Sequence, residues 1–206
     1  MTTSAPITAP TVEPTRTSQT ASLGESVAWL PVEGAEPTGT QSAGSVLETT
    51  ILRKAFGCFP SGVAALCALD PGDEDRPAGI AASSFTSVSL DPALVSVCIA
   101  HTSTTWPRLA GLARVGVSVL AEHHEEVASA LASKRADRFD GIDWAHSASG
   151  AVFVHGSTLW LECAIDRTVR AGDHDIVLLR IIHLRSNPDV APMVFHGSSF
   201  KRLTTA

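Results

Sequence analysis

The sequence predicts a mainly β domain built as an antiparallel barrel. Two observations support this fold class: short apolar runs of strand length recur along the chain between turn residues, and few segments have helical periodicity. Strands and helices do not alternate regularly, which argues against a doubly wound parallel sheet. The chain has 206 residues, of which 44% are hydrophobic and 17% charged, so it is large enough to bury one core.

The domain is predicted to span residues 46–206, after a disordered tail of residues 1–45. The tail is rich in Thr, Ser, Pro, Ala and Gly, a composition that cannot bury enough apolar surface to offset the entropy of ordering. Residues 1–20 lack the basic start and apolar run of a secretory signal, and no apolar run is long enough to span a membrane.

The elements of the domain follow from local patterns. A first helix is predicted from the spacing of Leu47, Ile51 and Phe56, and it ends before Pro60. A second, amphipathic helix is predicted over residues 122–131. The predicted strands are apolar runs bounded by turns, at residues 62–69, 79–85, 94–100, 115–120, 158–169 and 176–184. Gly172 and Asp173, between the last two, predict a hairpin.

Charge and cysteine usage restrict the class of protein. The formal net charge is −6, so a nucleic-acid partner is not expected. The four cysteines show no C-x-x-C spacing and predict buried thiols in a reducing cytoplasm: Cys58, Cys67, Cys98 and Cys163. No metal site is expected, because His123 and His124 are adjacent on the predicted helix and point about 100° apart.

A hydroxyl-rich segment at residues 78–92 is the first functional signal. Five hydroxyl side chains lie among small and apolar residues: Ser83, Ser84, Thr86, Ser87 and Ser89. A strand end that leads into a turn at Asp91 and Pro92 would explain them. The alternative is a binding segment for a flat ligand with polar edges, since Ala81 and Ala82 leave the backbone accessible and hydroxyls donate hydrogen bonds without fixing charge.

Three further motifs accompany this segment. They are Phe-Pro-Ser-Gly-Val at residues 59–63, Thr-Ser-Thr-Thr-Trp-Pro at 102–107 and Gly-Asp-His-Asp at 172–175. Taken separately, they are typical of a helix stop, a capped helix start and a polar hairpin turn. In this order the four motifs resemble the flavin reductase family, small NAD(P)H-dependent enzymes that supply reduced flavin to partner monooxygenases. The resemblance extends over about residues 47–203.

The resemblance implies a split β-barrel with Greek-key topology, the FMN-binding split barrel, which dimerises and binds flavin at the subunit interface. It also implies two groups of flavin contacts. Those near the ring and ribityl chain are Pro60, Ser61, Gly62, Ala81, Ala82, Ser83, Ser84, Phe85 and Ser87. Those near the phosphate are Ser103, Thr104, Thr105, Lys134 and Arg135, at a predicted helix start that could itself favour an anion.

His174 is the predicted catalytic residue. The resemblance implies that Gly172, Asp173 and His174 face the nicotinamide nucleotide, where an imidazole can bind the carboxamide or diphosphate and orient the nicotinamide toward the flavin. Phe200 also belongs to the implied cofactor site, in Gly-Ser-Ser-Phe where the family usually has Gly-Ser-Tyr. The chain contains no Tyr, so stacking is retained at this position and a phenol hydroxyl is not.

The sequence therefore predicts an NAD(P)H:flavin oxidoreductase, a homodimer that transfers hydride from NADH or NADPH to FMN or FAD. The chain has neither G-x-G-x-x-G nor a Walker A motif, which argues against a Rossmann domain or a phosphate loop. Two alternatives remain open: a non-catalytic flavin-binding sensor or carrier on the same fold, and a flavin-dependent oxidase that retains its cofactor. His174 favours the reductase over the sensor.

Overall fold

The structure, a computed structural model, describes residues 49–135 and 137–203; the tail expected over residues 1–45 lies outside them. The described part has three α-helices, α1 (Thr49–Phe56), α2 (Trp106–Ala110) and α3 (Glu125–Ala132). Its strands are β1 (Ser61–Gly62), β2 (Ala64–Asp70), β3 (Arg76–Ala82), β4 (Thr86–Leu90), β5 (Ala93–Ala100), β6 (Val115–Val119), β7 (Trp144–His146), β8 (Val152–Val154), β9 (Leu159–Ala171), β10 (His174–Ser186), β11 (Val194–His196) and β12 (Ser199–Lys201).

Seven strands form the main sheet, in the order β3-β2-β6-β9-β10-β5-β4, and each neighbouring pair is antiparallel. The order begins with β3 and ends with β4, so the barrel is not closed by a strand pair. Strands β1, β11 and β12 form a separate sheet, and β7 pairs with β8. The predicted mainly β, antiparallel split barrel is confirmed.

The hairpin of β9 and β10 is the longest element of the sheet. Ala171 pairs with His174, so the loop contains only Gly172 and Asp173. Gly172 has a φ of 64°, and a positive φ at the first central residue is the pattern of a type II′ turn, which favours glycine. The hairpin was expected from the sequence, and its tight turn places His174 at the first position of β10.

Two groups of apolar side chains form the interior. The larger one fills the barrel and includes Leu66, Val97 and Leu179, which are fully buried. The smaller one lies on the other face of β2, beneath α3, and includes Leu131 and Met193. Both faces of β2 are therefore buried, which explains its uninterrupted apolar sequence.

Three predicted boundaries differ from the structure. The run 62–69 is divided into β1 and β2 by Val63, whose carbonyl accepts a hydrogen bond from Leu120. Strand β3 begins before Pro77, because an edge strand tolerates proline. Helix α3 begins only at Glu125, because Ala121 is held in a bridge with Pro192.

Two of the four cysteines contradict the prediction of buried thiols. Cys67 and Cys163 are buried, and burial raises the pKa of the Cys163 thiol to about 12. Cys58 and Cys98 are exposed. The apolar run around Cys98 predicted burial, but Cys98 is the one exposed residue of β5, on a part of the strand that borders a cavity.

His124 is a buried histidine at the start of α3. Its Nδ1 accepts a hydrogen bond of 3.1 Å from the backbone N–H of Ala121. Burial, together with the neighbouring charge of His123, lowers the pKa of His124 from 6.5 to about 4. The native protein therefore keeps this ring neutral at pH values where the unfolded chain binds a proton.

We expect the stability contributed by neutral His124 to be lost as pH falls from 6.5 toward 4. The loss from this residue should be on the order of 1 to 2 kcal/mol in the free energy of unfolding between pH 7 and 5. Urea denaturation at both pH values, on the wild type and His124→Asn, measures it. The asparagine retains an acceptor and cannot titrate, so an equal pH dependence in both proteins would contradict the assignment.

Candidate functional site

A cavity of about 430 Å³ lies where the ends of β3 and β5 meet the start of β10 and the segment before α2. We call it the first cavity. It brings together residues from three of the motifs and from the segment after α3, which are far apart in the sequence. The predicted site residues that line it are Ala81, Ala82, Ser83, Ser84, Ser103, Thr104, Thr105, Lys134 and His174.

Ser83 and Ser84 have different surroundings at the wall of this cavity. The hydroxyl of Ser84 accepts a 2.9 Å hydrogen bond from the backbone N–H of Cys98 and donates one of 3.2 Å to the Cys98 carbonyl. It therefore fastens the segment after β3 to β5. Ser83 is exposed beside it. The predicted pair thus consists of one structural hydroxyl and one that faces accessible space.

We expect Ser83→Leu to lower flavin affinity by about tenfold or more, because the larger side chain occupies cavity volume at an exposed position. Ser83→Ala should bind flavin much like the wild type, since it adds no bulk. Ser84→Ala should instead lower stability by about 1 kcal/mol, because it removes both bonds to Cys98. Fluorescence titration and thermal unfolding separate these effects. Unchanged affinity in folded Ser83→Leu would contradict the assignment.

The segment before α2 supplies hydroxyls to the cavity. The Ser103 hydroxyl accepts a hydrogen bond of 3.1 Å from the backbone N–H of Trp106, while Thr105 occupies the cap position without a side-chain bond. Trp106 and Leu109 are buried and anchor the helix. Because α2 has only five residues, an anion here depends on nearby side chains and backbone more than on a helix dipole.

His174 lines the same cavity and is paired in register with Ala100 at the end of β5. Its Nδ1 is 2.7 Å from Oδ1 of Asp173. The bond from His174 holds the pKa of the Asp173 carboxyl below its usual range, so this carboxylate stays ionised and favours the tautomer with the proton on Nδ1. In that tautomer, Nε2 is a hydrogen-bond acceptor.

The remaining predicted contacts do not line the first cavity in this chain. Arg135 lines a neighbouring cavity instead. Ser61 and Gly62 pair with β11, and Phe200 packs against Phe195 with ring centres 5.5 Å apart. Those absent from its lining are Pro60, Ser61, Gly62, Phe85, Ser87, Arg135, Gly172, Asp173 and Phe200.

The structure adds lining residues that the sequence did not single out. Arg138 is one: its Nη1 donates to the carbonyls of Gly79 at 3.2 Å and Leu131 at 3.3 Å. It occurs in the charged stretch after α3, where nothing in the local pattern distinguishes it from its neighbours. Cys98 and Thr102 also line the cavity; Thr102 is the first residue of the motif at 102–107, and Cys98 had no signal of its own in the sequence.

Within residues 49–135 and 137–203, no three His, Cys, Asp or Glu side chains are arranged to hold a metal ion. None of the helices in that part of the chain is long and apolar enough to cross a membrane.

Comparisons with known proteins indicate one family. Residues 56–204 match the family described as flavin reductase like domain. The chain is 39% identical over 156 residues to the NADH-dependent FAD reductase of Streptomyces globisporus, covering 73% of this chain and 84% of that protein. The structure of the NADH:FAD oxidoreductase SgcE6 from Streptomyces globisporus, in complex with NAD and FAD fragments, superposes with a TM-score of 0.71 at 37% identity. It covers 76% of this chain and 93% of that one.

A further relative is the stachydrine N-demethylase reductase subunit Stc3 of Rhizobium meliloti. The identity is 35% over 142 residues, which cover 69% of this chain. The match spans only 61% of the length of Stc3, so it concerns part of that protein.

Proposed function

The chain belongs to the flavin reductase-like family, and on that premise we propose that it is an NAD(P)H:flavin oxidoreductase. It passes hydride from NADH or NADPH to FMN or FAD. The observation that carries the proposal is the first cavity, where His174 lies with Ser83 and the Ser103–Thr105 segment although these residues are far apart in sequence. A role in the hairpin turn alone does not explain why His174 lines the same cavity as residues of the other two motifs.

The chemistry of the first cavity fits a flavin. Its wall near β3 offers small side chains, backbone groups and the hydroxyl of Ser83, which suit the polar edge of a neutral ring. Lys134 and Arg138 also line it, and their positive charges suit a phosphate. When bound, the flavin supplies a ring that accepts the hydride. The protein contributes position and a polar environment.

The role of His174 is to orient the nicotinamide nucleotide. Asp173 favours the tautomer with the proton on Nδ1, and the pairing of His174 with Ala100 holds the start of β10 beside β5. Holding two reacting groups in the correct orientation accounts for much of the acceleration of a transfer reaction. No acid or base is required of the chain, because a hydride transfer moves no separate proton.

We further propose that the reduced flavin passes to a partner monooxygenase, in the cytoplasm. Relatives with names such as stachydrine N-demethylase reductase subunit support a reductase that serves a separate oxygenating component. The presence of four free thiols in the described part of the chain supports a reducing compartment.

A homodimer is also part of the proposal. Several large apolar side chains are exposed in the single chain: Phe56, Phe59, Val88, Leu90, Val169, Leu184 and Leu203. Leu90 is 96% exposed, at the edge strand β4, and the predicted apolar face of α1 is likewise uncovered. Burial in a second copy would remove this surface from water. It would also provide a place for predicted contacts such as Pro60 and Ser87, which lie outside the first cavity.

Sedimentation at micromolar concentration should therefore give the mass of a dimer. The change Leu90→Lys places a charge on the exposed edge strand and should shift the sedimenting species toward the monomer. A wild-type protein that sediments as a monomer while it binds flavin would contradict a site at the subunit interface.

Steady-state oxidation of NADH and NADPH, with free FMN and free FAD as acceptors, tests the proposed function. We expect flavin-dependent loss of the reduced nicotinamide absorbance with at least one pair. Flavin binding without any oxidation would instead support the sensor or carrier.

A further inference from the structure

A further cavity, of about 340 Å³, lies at the end of the β9–β10 hairpin that is remote from His174. We call it the distal cavity. Its walls are the segment between β8 and β9, the start of β9 and the end of β10. Trp160 pairs in register with Arg185 at this end, whereas Ala171 pairs with His174 at the other, roughly 35 Å away along strands that advance about 3.3 Å per residue. The distal cavity shares no lining residue with the first cavity, so the two are separate sites.

The indole of Trp160 forms a fixed wall of the distal cavity. Its Nε1 donates a hydrogen bond of 2.8 Å to the carbonyl of Val154. The ring of Phe153 stacks on it, with ring centres 5.2 Å apart and 23° between the planes. The imidazole of His155, which also lines the cavity, meets the indole edge to face with ring centres 5.6 Å apart. Because these contacts already hold the indole, the protein loses little conformational entropy when a ligand packs against it.

Arg185 supplies a positive charge to the distal cavity. Its guanidinium lies over the indole of Trp160, 5.4 Å from the ring centre, because the two residues are paired across adjacent strands. Within residues 49–135 and 137–203, no Asp or Glu forms an ion pair with Arg185. A guanidinium carries five N–H donors in a planar fork that matches a carboxylate. Contact with an aromatic face uses none of these donors, so they are available to an anion.

The charges around the distal cavity favour a ligand with a single negative charge. Among the described residues that line it, none is acidic. Asp143 lies outside the lining with its Oδ1 3.9 Å from Nε2 of His155, so a positive charge on that imidazole is already opposed. Among the lining residues, this leaves Arg185 as the uncompensated positive charge. One such charge balances a carboxylate, whereas a phosphate carries more than one negative charge at neutral pH.

Ser157 provides an independent indication of a ligand. The residue is 7% exposed and lines the distal cavity. Of the buried side-chain nitrogen and oxygen atoms in the described part of the chain, the Ser157 Oγ is the one without a hydrogen-bond partner. A buried hydroxyl without a partner is unfavourable, and native proteins rarely retain one. A ligand oxygen that accepts a hydrogen bond from this hydroxyl would remove the penalty.

We propose that the distal cavity binds a small organic carboxylate, with the carboxylate group on Arg185 and the Ser157 hydroxyl and the apolar part against Trp160. The cavity volume of about 340 Å³ lies near the lower end of the roughly 300–1,000 Å³ range of small-molecule sites, so an acid with a single ring fits better than a dinucleotide. This site is distinct from the one proposed for flavin and nicotinamide, and neither inference depends on the other.

Sodium benzoate, a monoanion with a single ring, is the probe for this site. Titrated into the full chain and followed by calorimetry, it should bind saturably with a dissociation constant on the order of 1 mM, as expected for a ligand of few atoms. Sodium phosphate at the same ionic strength, and neutral benzyl alcohol, should each bind at least about tenfold more weakly. The indole N–H signal of Trp160 in NMR spectra, identified by its loss in Trp160→Phe, should move during the benzoate titration.

The variant Arg185→Gln should raise the dissociation constant for benzoate about tenfold or more, because the charge is lost while a polar side chain remains. Arg170→Gln is the matched control: it removes the same charge at the other end of the hairpin, far beyond the screening length, and should leave the affinity within about twofold. Ser157→Ala should weaken benzoate binding about fivefold without lowering the melting temperature, because this hydroxyl has no partner in the described part of the protein to lose.

The absence of saturable benzoate binding up to about 10 mM would overturn the inference. Equal benzoate affinities in Arg185→Gln and Arg170→Gln would also overturn it, since the probe would then bind elsewhere. Phosphate that binds as tightly as benzoate would contradict the assignment to a carboxylate. None of these results bears on the reduction of flavin by NADH or NADPH, which is measured separately and decides the proposed function.

Discussion

His174→Ala is expected to lower the catalytic efficiency with NAD(P)H by roughly ten- to a hundredfold and to leave flavin affinity near the wild-type value. Loss of one well-oriented contact in a binding site costs on the order of 1 to 3 kcal/mol. The effect should fall on the nicotinamide, because His174 lies at the edge of the first cavity while Ser83 and Lys134 occupy other parts of its wall. The Michaelis constant and the rate of flavin reduction, measured separately, show whether binding or orientation is lost.

His101→Asn is the matched control for this variant. His101 is also a partly exposed histidine near the hairpin, and its Nε2 is 2.9 Å from Oδ1 of Asp175. It lines neither the first cavity nor the neighbouring cavity that Arg135 lines. The control should retain wild-type kinetics. If both variants lose activity equally, the loss comes from a disturbed hairpin and not from a contact between His174 and the nicotinamide nucleotide. If neither does, the Gly-Asp-His motif is an ordinary turn.

The largest effect on stability is expected for Gly116→Ala. Gly116 lies in β6, inside the main sheet, where β8 crosses it closely. A Cβ at this position would be 2.1 Å from the carbonyl oxygen of Val152, which is backbone and cannot rotate away. The two strands would have to separate, at a cost of about 3 kcal/mol in the free energy of unfolding.

Gly111→Ala is the comparison for this change, because nothing lies within 4 Å of its Cβ position. Chemical denaturation of the two variants should differ by most of the predicted 3 kcal/mol or so. Equal stabilities would show that β8 does not approach β6 as closely as the structure indicates.

The barrel could be predicted because its long strands have clear local signals. The β9–β10 hairpin is marked by two apolar runs around Gly172 and Asp173, and β5 by one continuous run. The strands that the sequence did not predict lack such signals. Strand β4 is an edge strand whose hydroxyl-rich sequence equally indicates a loop, and the three-residue strands β7, β8, β11 and β12 are too short for periodicity to appear.

The site was predictable where a motif stands next to a strand or helix end, as at His174 and Ser103. It was not predictable where a role depends on a distant partner. The Ser84 hydroxyl is hydrogen-bonded to Cys98 on β5, 14 residues away, and Arg138 is bound by the carbonyl of Gly79, 59 residues away. No local pattern encodes these pairings.

A single-turnover experiment tests most directly whether the first cavity is a place of hydride transfer. Protein with bound oxidised flavin is mixed anaerobically with NADH or NADPH, and the flavin absorbance is followed. We expect rapid bleaching, and slower bleaching when the transferred hydrogen of the nicotinamide is replaced by deuterium, because breaking that bond is part of the step. Flavin that stays oxidised while both ligands are shown to be bound would contradict the reductase.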